Sequence, residues 1–267
     1  MFFHTTPYHH DLIKDFERLA VFNEAINSYF NDVIKSNNDL KVKMFDLGCG
    51  SGILSFFASK YDVDVIAIDK DFKSIEKAKL NLKDIDDINF INDDVLNLNF
   101  KDKADLIVCE MLDTGLIDEE EAPVINHILP FLKDNGVIIP KGIINIAYPL
   151  NMNYPYIVYD DSNHGSTLEY DVLGDFVVYD EIDFDNYIDL NFKSKLHFKI
   201  TKDSLFNGIK IITFTKLNDN LISGPTPMLN PPICIPINEK SVKKGDFIDI
   251  TLEYVMGGGL ESIKVYY

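Results

Sequence analysis

The run Asp46-Leu47-Gly48-Cys49-Gly50-Ser51-Gly52 follows a short apolar stretch and precedes a helical one. Glycines in such a turn let the backbone approach a ligand where a Cβ would collide. The spacing is Gly-x-Gly-x-Gly, with Ile53 where a dinucleotide fingerprint wants its third glycine. No pyrophosphate grip is required, which suits a ligand carrying a nucleoside without a phosphate. An acid at the end of the next apolar run, Asp69, stands 19 residues beyond Gly50. A carboxylate there can accept hydrogen bonds from both ribose hydroxyls. Asp94, at the end of the following run, is placed to reach an adenine amino group, with Asp93 as the alternative. Either acid alone would pass for a turn residue; three successive strand ends in register point to a nucleoside site.

Elements of an α/β fold must hold these residues. Leu12, Phe16, Leu19, Asn23, Ile26, Phe30 and Val33 recur at helical steps, predicting one helix over residues 8–35, with Asn37 and Asn38 as punctuation. From 41 to 140, apolar runs such as VKMFDL, VDVIAID, INFIN and ADLIVC alternate with helical stretches. That alternation implies βαβ units and a Rossmann-like parallel sheet, which binds ligands at the carboxyl ends of its strands. Beyond Pro140 the helical period disappears. IINIAYPL, FVVYDEI, KLHFKI, GIKIITFTKL, PICIPI, DFIDITLEYV and ESIKVYY predict an antiparallel, barrel-like region. The expected divisions are 1–40, helical; 41–140, ligand-binding α/β; and 141–267, β-rich.

Twenty-five basic against 43 acidic residues leave a net charge of −18 over 267 residues, so a nucleic-acid partner is not expected. A basic partner suits that charge better, although many proteins are acidic only for solubility. The three cysteines are dispersed, with no CxxC pair, which argues against a disulfide framework or a structural zinc site; no metal is expected. No basic-then-apolar leader and no apolar run of membrane-spanning length is present, so the expected location is the cytoplasm, away from membranes.

FDLGCGSGILSFFAS resembles motif I of class I S-adenosylmethionine-dependent methyltransferases. Three further stretches resemble the protein arginine methyltransferases. His9-His10-Asp11-Leu12-Ile13-Lys14-Asp15-Phe16-Glu17-Arg18 is similar to the family's N-terminal helix, which closes over the cofactor. The resemblance implies that His9 contacts the cofactor and that Arg18 pairs with its methionine carboxylate, a geometry that suits a guanidinium fork. CEMLDTGLIDEE is similar to the family's double-glutamate loop, implying Glu110 and Glu119 as the catalytic pair. Two carboxylates can fix a guanidinium plane and draw its charge away from the reacting nitrogen. Glu120 and Glu121 are expected to be merely a solvated helix start, favoured by the helix dipole. FLKDNGVIIPKG resembles the family's passage into its β-barrel. Three features depart from the pattern, the first being that Phe2, Phe3 and Tyr8 do not reproduce the spacing of the family's N-terminal YFxxY. Where the family has a Thr-His-Trp loop, this chain has Pro227-Met228-Leu229-Asn230-Pro231-Pro232, so the histidine that pairs with the aspartate matching Asp15 is missing. The 51 residues from Pro140 to Leu190 are also few for the family's helical dimerisation arm.

The expected activity is methyl transfer from S-adenosylmethionine, with S-adenosylhomocysteine as product, to a nitrogen held by Glu110 and Glu119. Asp46 would lie near the methionine amino group, Gly48 and Gly50 would admit the cofactor, and Asp69 and Asp94 would hold the nucleoside. The acceptor is a protein, with arginine as the leading side chain, or a small molecule. A cofactor-binding regulatory or scaffold protein and a nicotinamide oxidoreductase are the rivals. The oligomeric state stays open.

Overall fold

Thr6 caps a first helix, α1 (Pro7–Lys14), by accepting from the His9 amide, with Pro7 at its first position. The computed structural model describes residues 3–36, 41–160 and 168–267; the expected break at Asn37 and Asn38 lies outside them. The single helix expected over 8–35 is two. At Asp15 the backbone leaves helical geometry (ψ 82°), and its carboxylate caps α2 (Phe16–Lys35) by accepting from the Arg18 amide at 3.1 Å. The break also rotates the buried face. Arg18, Phe22, Ala25, Ile26 and Phe30 turn inward, while Phe16, expected on the apolar face, is 76% exposed.

Five parallel strands follow: β1 (Val42–Leu47), β2 (Val63–Asp69), β3 (Ile88–Asn92), β4 (Ala104–Cys109) and β5 (Leu132–Ile139). Between them come α3 (Ile53–Ala58), α4 (Phe72–Asn81) and α5 (Glu121–Ile128). The sheet order is β3-β2-β1-β4-β5. Phe45, Leu47, Ala67, Ile68, Leu106, Ile107 and Val108 are wholly buried. Helices cover the sheet, so its central strands read as apolar runs rather than alternations. The chain winds outward from β1 through β3 and then crosses back to β4 on the other side of β1. That reversal opens a crevice past the carboxyl ends of β1 and β4.

β5 runs through Pro140 and Lys141 into β6 (Gly142–Met152), and the rest of the described chain is antiparallel. Next come β7 (Val158–Tyr159), β8 (Tyr170–Val172), β9 (Val177–Asp183), β10 (Asn191–Lys199), β11 (Ser204–Asn218), β12 (Leu221–Ser223), β13 (Ile233–Val242), β14 (Phe247–Val255) and β15 (Lys264–Tyr266). Seven of these strands form a sheet with the path β7-β13-β11-β6-β8, β9 pairing β6 and β12 pairing β11; β10, β14 and β15 form a second sheet. Burial alternates along β10 and β11, as it must when one face meets the core and the other meets water. Among the described residues of 141–190 there is no α-helix. No described helix is long and apolar enough to cross a membrane.

Candidate active site

The cleft past the carboxyl ends of β1, β2 and β4 is walled by His9, Arg18, Gly48, Gly50, Asp69, Asp94, Glu110 and Glu119, along with Lys70, Met111 and Met228. Eight of the nine residues singled out from sequence thus share one cavity. Asp46 is the exception. It is buried beneath the glycine loop, and its Oδ2 accepts from the Ser55 amide (3.0 Å) and the Ser55 hydroxyl (2.5 Å). Helix α3 begins at Gly52, which has no side chain to cap it. Asp46 therefore performs the capping from the end of β1, and burial pushes its carboxyl up to about 6.

Gly48 and Gly50 have φ of +70° and +53°, a left-handed backbone that costs other residues about 1–2 kcal/mol. What comes close to them is protein. A Cβ on Gly50 would lie 2.8 Å from the His9 ring, and one on Gly48 would lie 2.9 Å from Met111 Cγ. The glycines let helix α1 and the loop after β4 seat themselves on the turn. His9 Nδ1 is 2.7 Å from Thr6 Oγ1, and burial lowers its imidazole pKa, partly countered by Asp69. Asp69 is oriented from both sides: Oδ2 accepts from the Gly50 amide and Oδ1 from the Asp71 amide, each at 2.8 Å. A carboxylate has about four lone-pair positions, so this acid can still accept from a ligand. Asp94 caps the turn after β3 through the Leu96 amide (2.9 Å). Asp93 is exposed, accepts from the Asp94 amide and is absent from the cleft wall.

Arg18 and Glu110 form an ion pair inside the cleft, their side chains 5% and 8% exposed. Arg18 Nη1 also donates to the Leu12 carbonyl at 3.3 Å, which ties the guanidinium to helix α1. Glu119 lies on the open rim. Its carboxyl is raised by partial burial and then by Asp118 and Glu120, against the pull of Lys70. Glu120 pairs with Lys70 at 2.6 Å across the rim. The expectation that Glu121 is solvated is wrong, because it is wholly buried. Its Oε2 accepts from the Met111 amide (2.8 Å) and lies 3.4 Å from Cys109 Sγ. Held under the loop by that amide, the carboxyl is pushed up to about 8 by burial.

The C-terminal sheet closes the site through loop contacts that sequence reasoning missed. Asp15 Oδ2 accepts from the Thr226 hydroxyl and from the Met228 amide (2.8 Å). Where the family's histidine is missing, this hydroxyl and amide occupy the aspartate. Asn81 ties the N-terminal segment to the glycine turn, donating to the His4 and Ser51 carbonyls, both at 2.9 Å. Asp113, also missed, accepts from three successive amides of the loop that carries Glu119. No local pattern announces the contacts of Asp15 and Asn81, since each depends on a partner brought close by folding; the partners of Asp113 lie only four to six residues on, in a turn that sequence reasoning did not single out.

Comparison with known proteins agrees with this fold. Residues 44–136 match the family described as a methyltransferase domain. The fold matches a chain of the Trypanosoma brucei PRMT1 enzyme-prozyme heterotetrameric complex with AdoHcy, at a TM-score of 0.70 and 14% identity, over 92% of this chain and 88% of that one. The ribosomal protein L11 methyltransferase of Thermosipho africanus is 35% identical over 127 residues, covering 47% of this chain and 46% of that protein. Sheet order, glycine loop and these matches define a class I S-adenosylmethionine-dependent methyltransferase whose fold resembles the protein arginine methyltransferases. Two relatives align almost end to end. An uncharacterised protein of Methanothermobacter thermautotrophicus is 43% identical over 264 residues, covering 99% of this chain and 98% of that one. Another from Methanocaldococcus jannaschii is 38% identical over 264 residues, covering 97% and 95%. The chain belongs to the family that these full-length relatives represent.

The cleft fits the methyl donor chemically. It offers a buried guanidinium for a carboxylate, a strand-end acid for a ribose diol and further acids for an amine or sulfonium.

Proposed function

We propose that the protein methylates a cationic nitrogen, with the arginine side chain of a protein as the leading acceptor. The observation that carries this reading is the charge of the cleft: Asp69, Asp71, Asp94, Glu110, Glu119 and Glu120 line it against two cations, Arg18 and Lys70. Both cations are already bound to glutamates.

Arg18 would take the carboxylate end of the cofactor, with His9 above it on the lid. Asp69 would hold the ribose and Asp94 the adenine amino group. S-adenosylmethionine, when bound, supplies a methyl group already activated by its sulfonium. The remaining work is alignment and removal of water, to which helices α1 and α2 contribute as a lid. Glu110, fixed by Arg18, and Glu119, on the opposite end of the loop, would hold the acceptor between them. A free guanidinium has a pKa above about 12 and no available lone pair, so it is a poor nucleophile. Carboxylates set against its other nitrogens concentrate the positive charge there and leave density on the attacking one. Glu119, on the solvent side, would accept the proton given up by that nitrogen. In this division of labour residues 41–140 bind the cofactor and 141–267 shape the acceptor side.

A different nitrogen, in another side chain or a small molecule, is the second reading. It is favoured by Met228, an apolar residue lining the cleft from the loop that replaces Thr-His-Trp.

The test is transfer of labelled methyl from S-adenosylmethionine to an arginine-rich peptide beside its lysine-substituted twin, using wild type and Glu110→Gln. Labelling of the arginine peptide alone, lost in the variant, is the expected result. Equal labelling of both peptides, or an unimpaired variant, would remove the arginine reading.

A further inference from the structure

Between Glu110 and Glu119 the chain passes through a turn that is unfavourable by itself. Gly115 and Leu116 are consecutive left-handed residues, with φ of +72° and +58°, and Leu116 has no glycine's freedom to be so. Something must hold this turn in place. Asp113, 6% exposed, aims its carboxylate back at the chain that follows. Oδ2 accepts from the amides of Ile117 (3.2 Å) and Asp118 (2.8 Å), and Oδ1 accepts from the amide of Glu119 (3.3 Å). One buried carboxylate thus gathers three successive N–H groups, the last belonging to the residue whose side chain lines the cleft rim.

The same turn is braced from the C-terminal sheets. The Gly115 amide donates to Thr213 Oγ1 (2.8 Å), the Thr114 hydroxyl to the Pro231 carbonyl (2.8 Å), and the Gly257 and Gly259 amides to the carbonyls of Leu116 and Ile117 (both 2.9 Å). Those ties fix the turn through residue 117. Of the contacts described, only Asp113 reaches the backbone of both Asp118 and Glu119 from within the loop. A carboxylate is the right group for this, because hydrogen bonds to a charged acceptor are about twice as strong as neutral ones. Burial nevertheless opposes its ionisation and pushes the carboxyl up to about 7.

We propose that Asp113 is a positioning residue for the transfer reaction: by holding the amides of residues 117–119 it sets the Glu119 side chain opposite Glu110 and so governs capture of the cationic acceptor. The proposal rests on the reading that Glu119 holds the acceptor, and the experiment keeps the two apart. Asp113→Asn, Glu119→Gln and the double variant are compared with wild type, full chain throughout. Three quantities are measured: steady-state methyl transfer to an arginine-rich peptide, calorimetric binding of S-adenosylhomocysteine, and Tm.

In Asp113→Asn, kcat/KM for the peptide should fall about tenfold or more, mainly through KM, while S-adenosylhomocysteine affinity stays within about twofold. Added to Glu119→Gln, the same substitution should cost less than about twofold further, since no carboxylate remains to be placed. Wild-type kcat/KM in Asp113→Asn would overturn the proposal, as would losses that multiply independently in the double variant. So would cofactor affinity falling in step with transfer, which marks a general structural role. Glu119→Gln transferring like wild type would overturn the underlying two-glutamate reading instead. If Asp113→Asn does not fold, Asp113→Ser, a smaller acceptor for fewer amides, carries the same comparison.

Discussion

The two walls of the cleft are built by different means. The wall proposed to hold the cofactor is made where strands of one parallel sheet end, and its strand-end acids bond near in sequence: Asp46 to Ser55, Asp69 to Gly50, Asp94 to Leu96. The wall proposed to face the acceptor is closed by chain segments that meet only after folding, with Asp15 joined to Thr226 across 211 positions and Thr114 to Pro231 across 117. The first wall follows from topology alone, because any chain that reverses direction at β1 and β4 opens a crevice there. The second is a set of particular pairings. Among them the Thr226 hydroxyl and the Met228 amide serve Asp15, the aspartate for which the resemblance implies a histidine partner.

Substitutions that test this division differ widely in size. The largest effect is expected from Arg18→Met, which stands where the walls meet. It leaves Glu110 buried without its partner, at a cost of about 3–5 kcal/mol in stability. Denaturant unfolding should show a lower midpoint with an unchanged slope, and S-adenosylhomocysteine binding should weaken in the same protein. An unfolding midpoint equal to wild type would show that the ion pair does not hold the walls together.

Glu121→Gln sharpens the acceptor side through its pH dependence. The folded-state pKa of Glu121, about 8, lies above the ordinary glutamate value near 4.5. The fold therefore binds the proton more tightly than the unfolded chain does. Stability from this residue is complete below about pH 4.5 and is lost as pH rises through 8. Glutamine cannot ionise, so the variant should lose less stability between pH 5 and 8, by on the order of 3–4 kcal/mol, read as a smaller decline in Tm. Asp46 and Asp113 have the same sign, so a residual decline remains. Parallel Tm curves for variant and wild type would contradict the buried, proton-retaining environment.

Thr226→Val is expected to have the smallest effect. It removes one hydroxyl from Asp15, which keeps the Met228 and Arg18 amides. About 1–2 kcal/mol of stability should go, with methyl transfer reduced severalfold and cofactor affinity unchanged. Equal losses of binding and transfer would place Asp15 on the cofactor side instead.

The contrast also explains what could be read in advance. The parallel strands, the glycine loop and the acids after β2 and β3 were legible, because buried strands make unbroken apolar runs and the loop's spacing is local. The antiparallel strands beyond Pro140 were legible for a different reason, as short β-rich runs between turn residues, alternating in burial rather than buried on both faces. The break at Asp15 was not, since an aspartate inside an amphipathic pattern looks the same whether it lies on the helix or caps a new one. Phe16 followed from that error, its expected face being rotated into water. Glu121 was misjudged because an acid in Asp-Glu-Glu-Glu at a helix start is ordinarily solvated; the Met111 amide that binds it is adjacent only in space. Asp113 carries no pattern at all.

The most direct test is calorimetric titration of S-adenosylhomocysteine into wild type, Asp69→Ala and Glu119→Gln. Asp69→Ala should lose about tenfold or more in affinity, having lost a charged acceptor for the ribose, while Glu119→Gln binds within about twofold of wild type. Undiminished binding by Asp69→Ala, or an equal loss in both variants, would contradict the division of the cleft into a cofactor wall and an acceptor wall.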